Sequence, residues 1–337
     1  MLIETLTNTD GVSGSETAVR ELIKKHIAPY ADEITVDSIG NLIAVKRGNG
    51  DKKVMIAAHM DEVGFIISGV TEKGFLEFKT VGGIDTRVII SKKVRIGKNK
   101  VKGIIGMKAI HLQKPAERES VPEVKDIYID IGAKSKEDAL KAVKLGDYAA
   151  FDTEFEELGE GSIKAKAIDD RVGCAVLIEL MKEPVKYDTY FVFTVQEEVG
   201  LRGAGVAANR TAPDIALVLE ATTCSDVYGF KEHEYVTSMG GGVAVSVMDM
   251  RTIVNEDFRK WLYNAAQGEN IRVQYKRSAS GGNDAGKIHL ALGGIKTASL
   301  SVPCRYLHSP CGIASMKDIN AMHALARLFL DRIDEVI

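Results

Sequence analysis

Three short runs of this chain, 54–58, 189–195 and 214–219, are apolar almost throughout. A strand with one wet face alternates apolar and polar residues, so these runs predict strands covered on both faces, as at the centre of a parallel sheet. Parallel strands need long crossovers, and helix-like segments do intervene. Apolar residues recur at helical spacing over 15–30 (Val19, Leu22, Ile23, Ile27), with Ser15 as the expected N-cap. Helices are also expected at 169–181, 203–209, 256–267 and 316–333, and extended segments at 33–36, 42–46, 271–275 and 297–302. The predicted fold class is α/β, a doubly wound sheet.

Between about 65 and 163 the texture changes. Short β-rich runs at 75–78, 88–90, 93–96 and 127–131 are separated by Gly, Lys and Asp, with one helix-like stretch at 135–143. This pattern predicts a small β-sandwich or barrel, 65–163, inserted into a domain built from 1–64 and 164–337. A length of 337 residues accommodates two domains. The 44 Lys+Arg against 47 Asp+Glu leave a net charge of −3, which argues against a nucleic-acid binder. No run is long and apolar enough to span a bilayer, and the N-terminus lacks a basic stretch followed by an apolar one. The four cysteines lie far apart, without CxxC pairs. A cytoplasmic protein with no membrane or nucleic-acid partner is expected.

The chemistry is predicted where the apolar runs stop. Run 54–58 ends at His59, run 189–195 at Glu197 and Glu198, and run 214–219 at Glu220. Ligands of open α/β sheets collect outside the carboxyl ends of the strands, so parallel neighbours would bring these side chains to one crevice. Asp169 and Asp170 open a helix that should start near the same edge, and His308 follows the extended segment 297–302. Two His, one Asp and two Glu make the donor set of a two-metal hydrolytic site. Single acidic or histidine residues at strand ends are commonly just solvated, so spacing by itself leaves both readings open.

Four segments extend the pattern: Ala58-His59-Met60-Asp61-Glu62-Val63-Gly64, Ala167-Ile168-Asp169-Asp170-Arg171, Gln196-Glu197-Glu198-Val199-Gly200 and Arg305-Tyr306-Leu307-His308-Ser309-Pro310. Together, in this order, they resemble the motif set of the M42 family of metallo-aminopeptidases, which includes glutamyl, leucyl and lysyl aminopeptidases and relatives once labelled endoglucanases. The resemblance implies two divalent ions, zinc or cobalt. His59 and Glu220 would hold one ion and His308 and Glu198 the other, with Asp169 bridging both. Glu197 would be the general base, and Asp61 would hold the far nitrogen of His59. Many family members carry Asp where this chain has Glu220, which leaves Asp226 as an alternative ligand. Two divalent ions against three carboxylates leave a positive remainder that a bridging hydroxide would neutralise, with Glu197 free to move the proton. The resemblance further implies short peptide substrates, and a homo-oligomer, dimer or dodecamer, with the insert serving assembly.

Weaker signals are weighed against these. Gly203-Ala204-Gly205-Val206-Ala207-Ala208 fits a dinucleotide fingerprint, but the segment Glu197-Glu198-Val199-Gly200-Leu201-Arg202 separates it from the strand, so close helix–sheet packing is the better reading. The glycine-rich turn 280–286, with Asp284, is expected to shape the substrate cleft, and His111 to face the site from the insert. Two other functions are carried. A glycoside hydrolase would need paired carboxylates but not His59 and His308, and aromatic residues are only 6% of the chain. A non-catalytic assembly protein would not need Glu197. The preferred N-terminal residue stays open among acidic, neutral and basic, with a lean to neutral.

Overall fold

The structure is a computed structural model that describes residues 1–337. Four mutually parallel strands form its centre, in the order Asp188–Thr194, Lys53–His59, Ile215–Thr223 and Lys296–Arg305. Antiparallel strands flank them. Leu42–Lys46 and Glu33–Val36 lie on one side, and Gly312–Ser315, Ser162–Ala165 and Glu156–Leu158 on the other. Two short strands, Val243–Val245 and Val273–Tyr275, branch from Lys296–Arg305.

The apolar runs behave as their composition requires. In Lys53–His59, the side chains of Val54, Ile56 and Ala58 enter a large core with those of helices Thr17–Ile27, Ile168–Leu180 and Met316–Asp331. Met55 and Ala57 point the other way, into a smaller core with Ala204, Ala207 and Ala208 of helix Arg202–Thr211. Alternate residues thus serve opposite faces, and the sheet is doubly wound as expected.

The insert is a closed six-stranded barrel, in the order Gly64–Val70, Leu76–Val81, Ile127–Asp130, Val101–Met107, Lys93–Ile96 and Tyr148–Phe151. Phe65 anchors its separate core, edge-on to Phe78 and Phe151 at 5.0 and 5.2 Å.

Several expectations need correction. The barrel closes at Phe151, and the chain then rejoins the large sheet at Glu156–Leu158 and Ser162–Ala165, so the last part of 65–163 lies in the sheet. Of run 88–90, read as extended, Val88 and Ile89 fall in a short helix, Thr86–Ile89, capped by Asp85, which accepts from the Arg87 amide at 2.9 Å, and only Ile90 is extended. Helix Thr17–Ile27 has Glu16, not Ser15, at its N-cap position. An unanticipated helix, Leu2–Asn8, is too short for a period to show, and it buries only Ile3, Leu6 and Thr7. No helix is long and apolar enough to cross a membrane.

The small-residue segment is a packing device. A Cβ on Gly203 would lie 2.3 Å from Asn41 Oδ1 and 2.5 Å from the Val195 carbonyl oxygen, whereas one on Gly205 would meet only Lys287 Cβ at 3.8 Å. Gly203→Ala is therefore expected to destabilise the fold by about 1–3 kcal/mol through overpacking. Gly205→Ala, inside the helix, should stabilise it by about 0.5–1 kcal/mol. Urea unfolding of both variants beside the parent checks this, and equal effects would overturn it.

Candidate metal centre

His59 is the last residue of its strand and is fully buried. Across the parallel pairing it is level with Thr194, the last strand residue before the loop that carries Glu197 and Glu198. On its other side, Ala57 is level with Val218, so Glu220 stands opposite His59 one turn of the pleat further on. Glu220 is not at a strand end, as the sequence suggested. Its strand continues to Thr223, because parallel pairing with Lys296–Arg305 runs on to Cys304.

The crossover helix brings in Asp169, whose two oxygens diverge. Oδ1 lies 3.1 Å from His59 Nε2, and Oδ2 lies 3.4 Å from His308 Nε2. Each histidine has a further carboxylate at hand. Glu220 Oε2 is 3.6 Å from His59 Nε2, and Glu198 Oε2 is 3.1 Å from His308 Nε2. The five predicted donors therefore meet, although they come from separate parts of the chain. Asp170, which the sequence reading placed at the same edge without a ligand role, joins them. It is fully buried, its Oδ1 accepts from the Gly173 amide at 3.0 Å, and its Oδ2 has no partner. Metal-compatible groupings form around His59 with Asp169 and Glu198, and with Asp170 and Glu220.

Asp226, the alternative to Glu220, is committed elsewhere. It accepts from Arg305 Nε and Nη2, both at 2.9 Å, and from the Met239 amide at 3.0 Å. That pair anchors the stretch leading to His308. Asp61 does not close the expected hydrogen bond to His59, whose Nδ1 is without a partner. It lies 3.5 Å from His59 Nδ1, while its carboxylate accepts from the Glu197 and Glu198 amides at 3.0 and 3.2 Å and from Ser13 Oγ at 2.6 Å. It thus sets the backbone of the glutamate pair. The chain turns left-handed at Ala167, Gln196 and His308, a conformation that costs non-glycine residues about 1–3 kcal/mol and clusters at functional sites.

The electrostatics is lopsided. Burial, reinforced by neighbouring carboxylates, pushes Glu197, Glu220 and Asp170 well above the usual carboxylate range. Glu198 is also raised by burial, against the pull of His308. Asp169 goes the other way, held low despite burial by the two histidines it faces. Burial works against His308, yet Asp169 and Glu198 raise it to about 11. Glu220 Oε1 and Asp170 Oδ2 are buried without a hydrogen-bond partner. Buried anions without partners are costly, and two imidazoles do not balance this many carboxylates. The donor set, all imidazole nitrogen and carboxylate oxygen, fits divalent cations.

A cleft of about 330 Å³ opens onto the group, lined in part by Asp169, Glu197, Glu220, His308, Lys276 and Asn283. Asp284 is not among its walls. It has no exposed surface, its Oδ2 accepts from the Thr194 hydroxyl, and burial pushes its carboxyl up to about 6. It underlies the centre instead of facing a substrate. His111 is exposed on the short turn Ile110–Leu112 and does not line the cleft. Lys276 escaped the sequence reading, since nothing near it marks a site.

The profile of the family described as M42 glutamyl aminopeptidase matches residues 40–325. The lysyl aminopeptidase of Pyrococcus furiosus is 30% identical over 340 aligned residues, 98% of this chain and 96% of its own. A TET aminopeptidase from a marine-sediment Thaumarchaeota archaeon superposes with a TM-score of 0.95 at 36% identity, over 98% of this chain and 95% of its own. The TET1 peptidase of Pyrococcus horikoshii, which can assemble into a tetrahedron or a large octahedral shell, has a TM-score of 0.87 at 34% identity, covering 98% of both chains.

Excess buried negative charge predicts that added Zn²⁺ or Co²⁺ raises the unfolding temperature. A ligand at a hundredfold excess over its Kd contributes about 2.7 kcal/mol. Glu220→Ala should reduce the metal-induced shift, whereas Asp226→Asn should lower basal stability and keep that shift. Differential scanning calorimetry with and without metal checks both, and the reverse pattern would move the ligand role to Asp226.

Proposed function

The chain belongs to the M42 peptidase family, a family of metal-dependent aminopeptidases, and on that premise we propose that it removes N-terminal residues from short peptides with two divalent ions, zinc or cobalt. One observation carries this reading: the two oxygens of Asp169 face two different histidines, each with its own additional carboxylate. His59, Glu220 and one oxygen of Asp169 would hold one ion. His308, Glu198 and the other oxygen would hold the second. Imidazole and carboxylate donors suit several first-row metals, so the donor set admits zinc and cobalt alike. When bound, such ions polarise a scissile carbonyl and lower the pKa of water toward neutrality.

Glu197 is left to move the proton. It lines the cleft and stands outside both metal-compatible groupings, although Glu198 beside it faces His308. Its carboxyl is pushed up by burial and by neighbouring acids, which suits a group that must hold a proton between two steps. It takes that proton from the attacking water and returns it to the leaving amine nitrogen. Asp61, through the Glu197 amide, keeps the carboxyl at the right place. The acidic wall of the cleft also suits a substrate's free α-amino group, which limits attack to the chain end.

A glycosidase would be expected to stack sugars on aromatic rings. No Trp, Tyr or Phe lines this cleft, and Trp261 donates instead to Glu335 at 2.8 Å and packs on Phe329. The peptidase reading is therefore favoured. Self-assembly of the chain, as a dimer or a dodecamer, belongs to the same proposal. It is supported by Ile110, Leu112 and Val121, which leave apolar surface exposed on the barrel. A cytoplasmic location completes the reading, and four free thiols suit a reducing compartment.

Glu197→Gln is expected to bind metal at parent stoichiometry and to lose about 10²–10⁴-fold in kcat on amino-acid amides. Elemental analysis and steady-state kinetics read the two quantities. A chelator should abolish turnover, and Zn²⁺ or Co²⁺ should restore it. Near-parent activity in the variant would remove the general-base role, and chelator-insensitive hydrolysis would remove the metal.

A further inference from the structure

The cleft is lined by the acidic residues Asp169, Glu197 and Glu220, and by one lysine, Lys276. Lys276 follows the strand Val273–Tyr275, and its main chain is tied down where its amide donates a hydrogen bond to the Val245 carbonyl at 3.1 Å. Other half-buried lysines of this chain are spoken for. Lys46 and Lys296 donate to main-chain carbonyls, and Lys136 and Lys164 pair with Glu72 and Glu156. Lys276 and Lys52 alone among the half-buried ones have no acceptor, and of these two only Lys276 borders a cleft.

A lysine that gives up part of its hydration without gaining an anion is costly, so its site favours a ligand that supplies one. His308, the other basic side chain in the wall, already faces Asp169 and Glu198. Lys276 is thus the free positive charge beside the reacting centre. We infer that Lys276 sets substrate choice by receiving the side-chain carboxylate of an N-terminal Glu or Asp, while the acidic wall takes the α-amine at the opposite end. This rests on the aminopeptidase reading. Family membership does not decide the matter, since the P. furiosus relative is a lysyl enzyme. Ser280 and Asn283, also in the wall, offer polar groups that an acidic side chain can use. A basic N-terminal side chain would place ammonium against ammonium. The C-terminal carboxylate of a dipeptide is the other source of the same chemistry.

The test compares Glu-, Gln-, Leu- and Lys-amides and the dipeptide Leu-Gly on metal-loaded parent, Lys276→Met and Lys276→Glu. Glutamate and glutamine match in shape, so their kcat/KM ratio isolates the charge. The parent should favour Glu over Gln by about tenfold or more, the scale of one charged hydrogen bond. Lys276→Met should bring that ratio near unity while Leu-amide turnover stays within about threefold of the parent. Lys276→Glu should turn the preference toward Lys-amide. Product inhibition by free L-glutamate should weaken in both variants.

A parent with no Glu preference, or a Glu/Gln ratio untouched by Lys276→Met, would overturn the assignment and leave the aminopeptidase reading standing. Selective loss of Leu-Gly over Leu-amide in Lys276→Met, with the Glu/Gln ratio intact, would place the peptide C-terminus at Lys276 instead. Absence of turnover on every amide by the parent would sink both readings.

Discussion

Carboxylates crowded into the dry edge of a parallel sheet are the constraint on which the rest of this molecule depends. Asp169, Asp170, Glu197, Glu198 and Glu220 face only two imidazoles, and two of their buried oxygens, Asp170 Oδ2 and Glu220 Oε1, have no hydrogen-bond donor. Such a cluster opposes folding unless cations compensate it. Such unfavourable charge favours the binding of divalent cations, and burial together with the neighbouring acids raises the Glu197 carboxyl well above the usual carboxylate range. On the proposed reading, stability and chemistry draw on the same electrostatic imbalance.

The surrounding charges are, by contrast, matched. Lys166 and Glu62, both buried, pair at 2.7 Å, and Glu62 also accepts from the Gly11 amide at 2.9 Å. Arg171, two residues beyond Asp169, reaches the Met60 carbonyl at 3.0 Å and the Thr9 carbonyl at 2.8 Å. It so ties the turn after His59 to the helix of Asp169 and to the N-terminal segment. Arg95 of the barrel meets Asp10 at 2.7 Å, joining the insert to the same network. Buried pairs of this kind contribute little net stability, but removing one partner costs about 3–5 kcal/mol. Their effect is to hold the turn after His59, the start of the Asp169 helix and the N-terminal segment in one arrangement, so that the unmatched charges there cannot relax apart.

Much of this was legible in the sequence, for identifiable reasons. Continuous apolar runs can only be strands buried on both faces, and the residues that ended or followed them, His59, Glu197 and Glu198, had to emerge at one edge. Glu220 was legible as a donor but not as a strand residue, because an acidic side chain reads as an end when it is in fact held within a parallel pairing. Asp284 read as a cleft residue since it follows glycines, yet the helix Ala285–Ile288 packs against the sheet and draws it under Thr194. Lys276 gave no signal at all. A lone lysine after a short strand is commonplace, and only its missing partner in space marks it out.

The sequence by itself determined the layer order of the fold and the chemical kind of the centre, since hydrophobic periodicity and the donor types are local properties of the chain. Only the tertiary structure decided which oxygen of Asp169 faces which histidine, that Asp226 belongs to Arg305, and which lysine is left without an anion. Those are relations between groups far apart in sequence, settled by strand register and helix packing, and a one-dimensional pattern carries no record of distance.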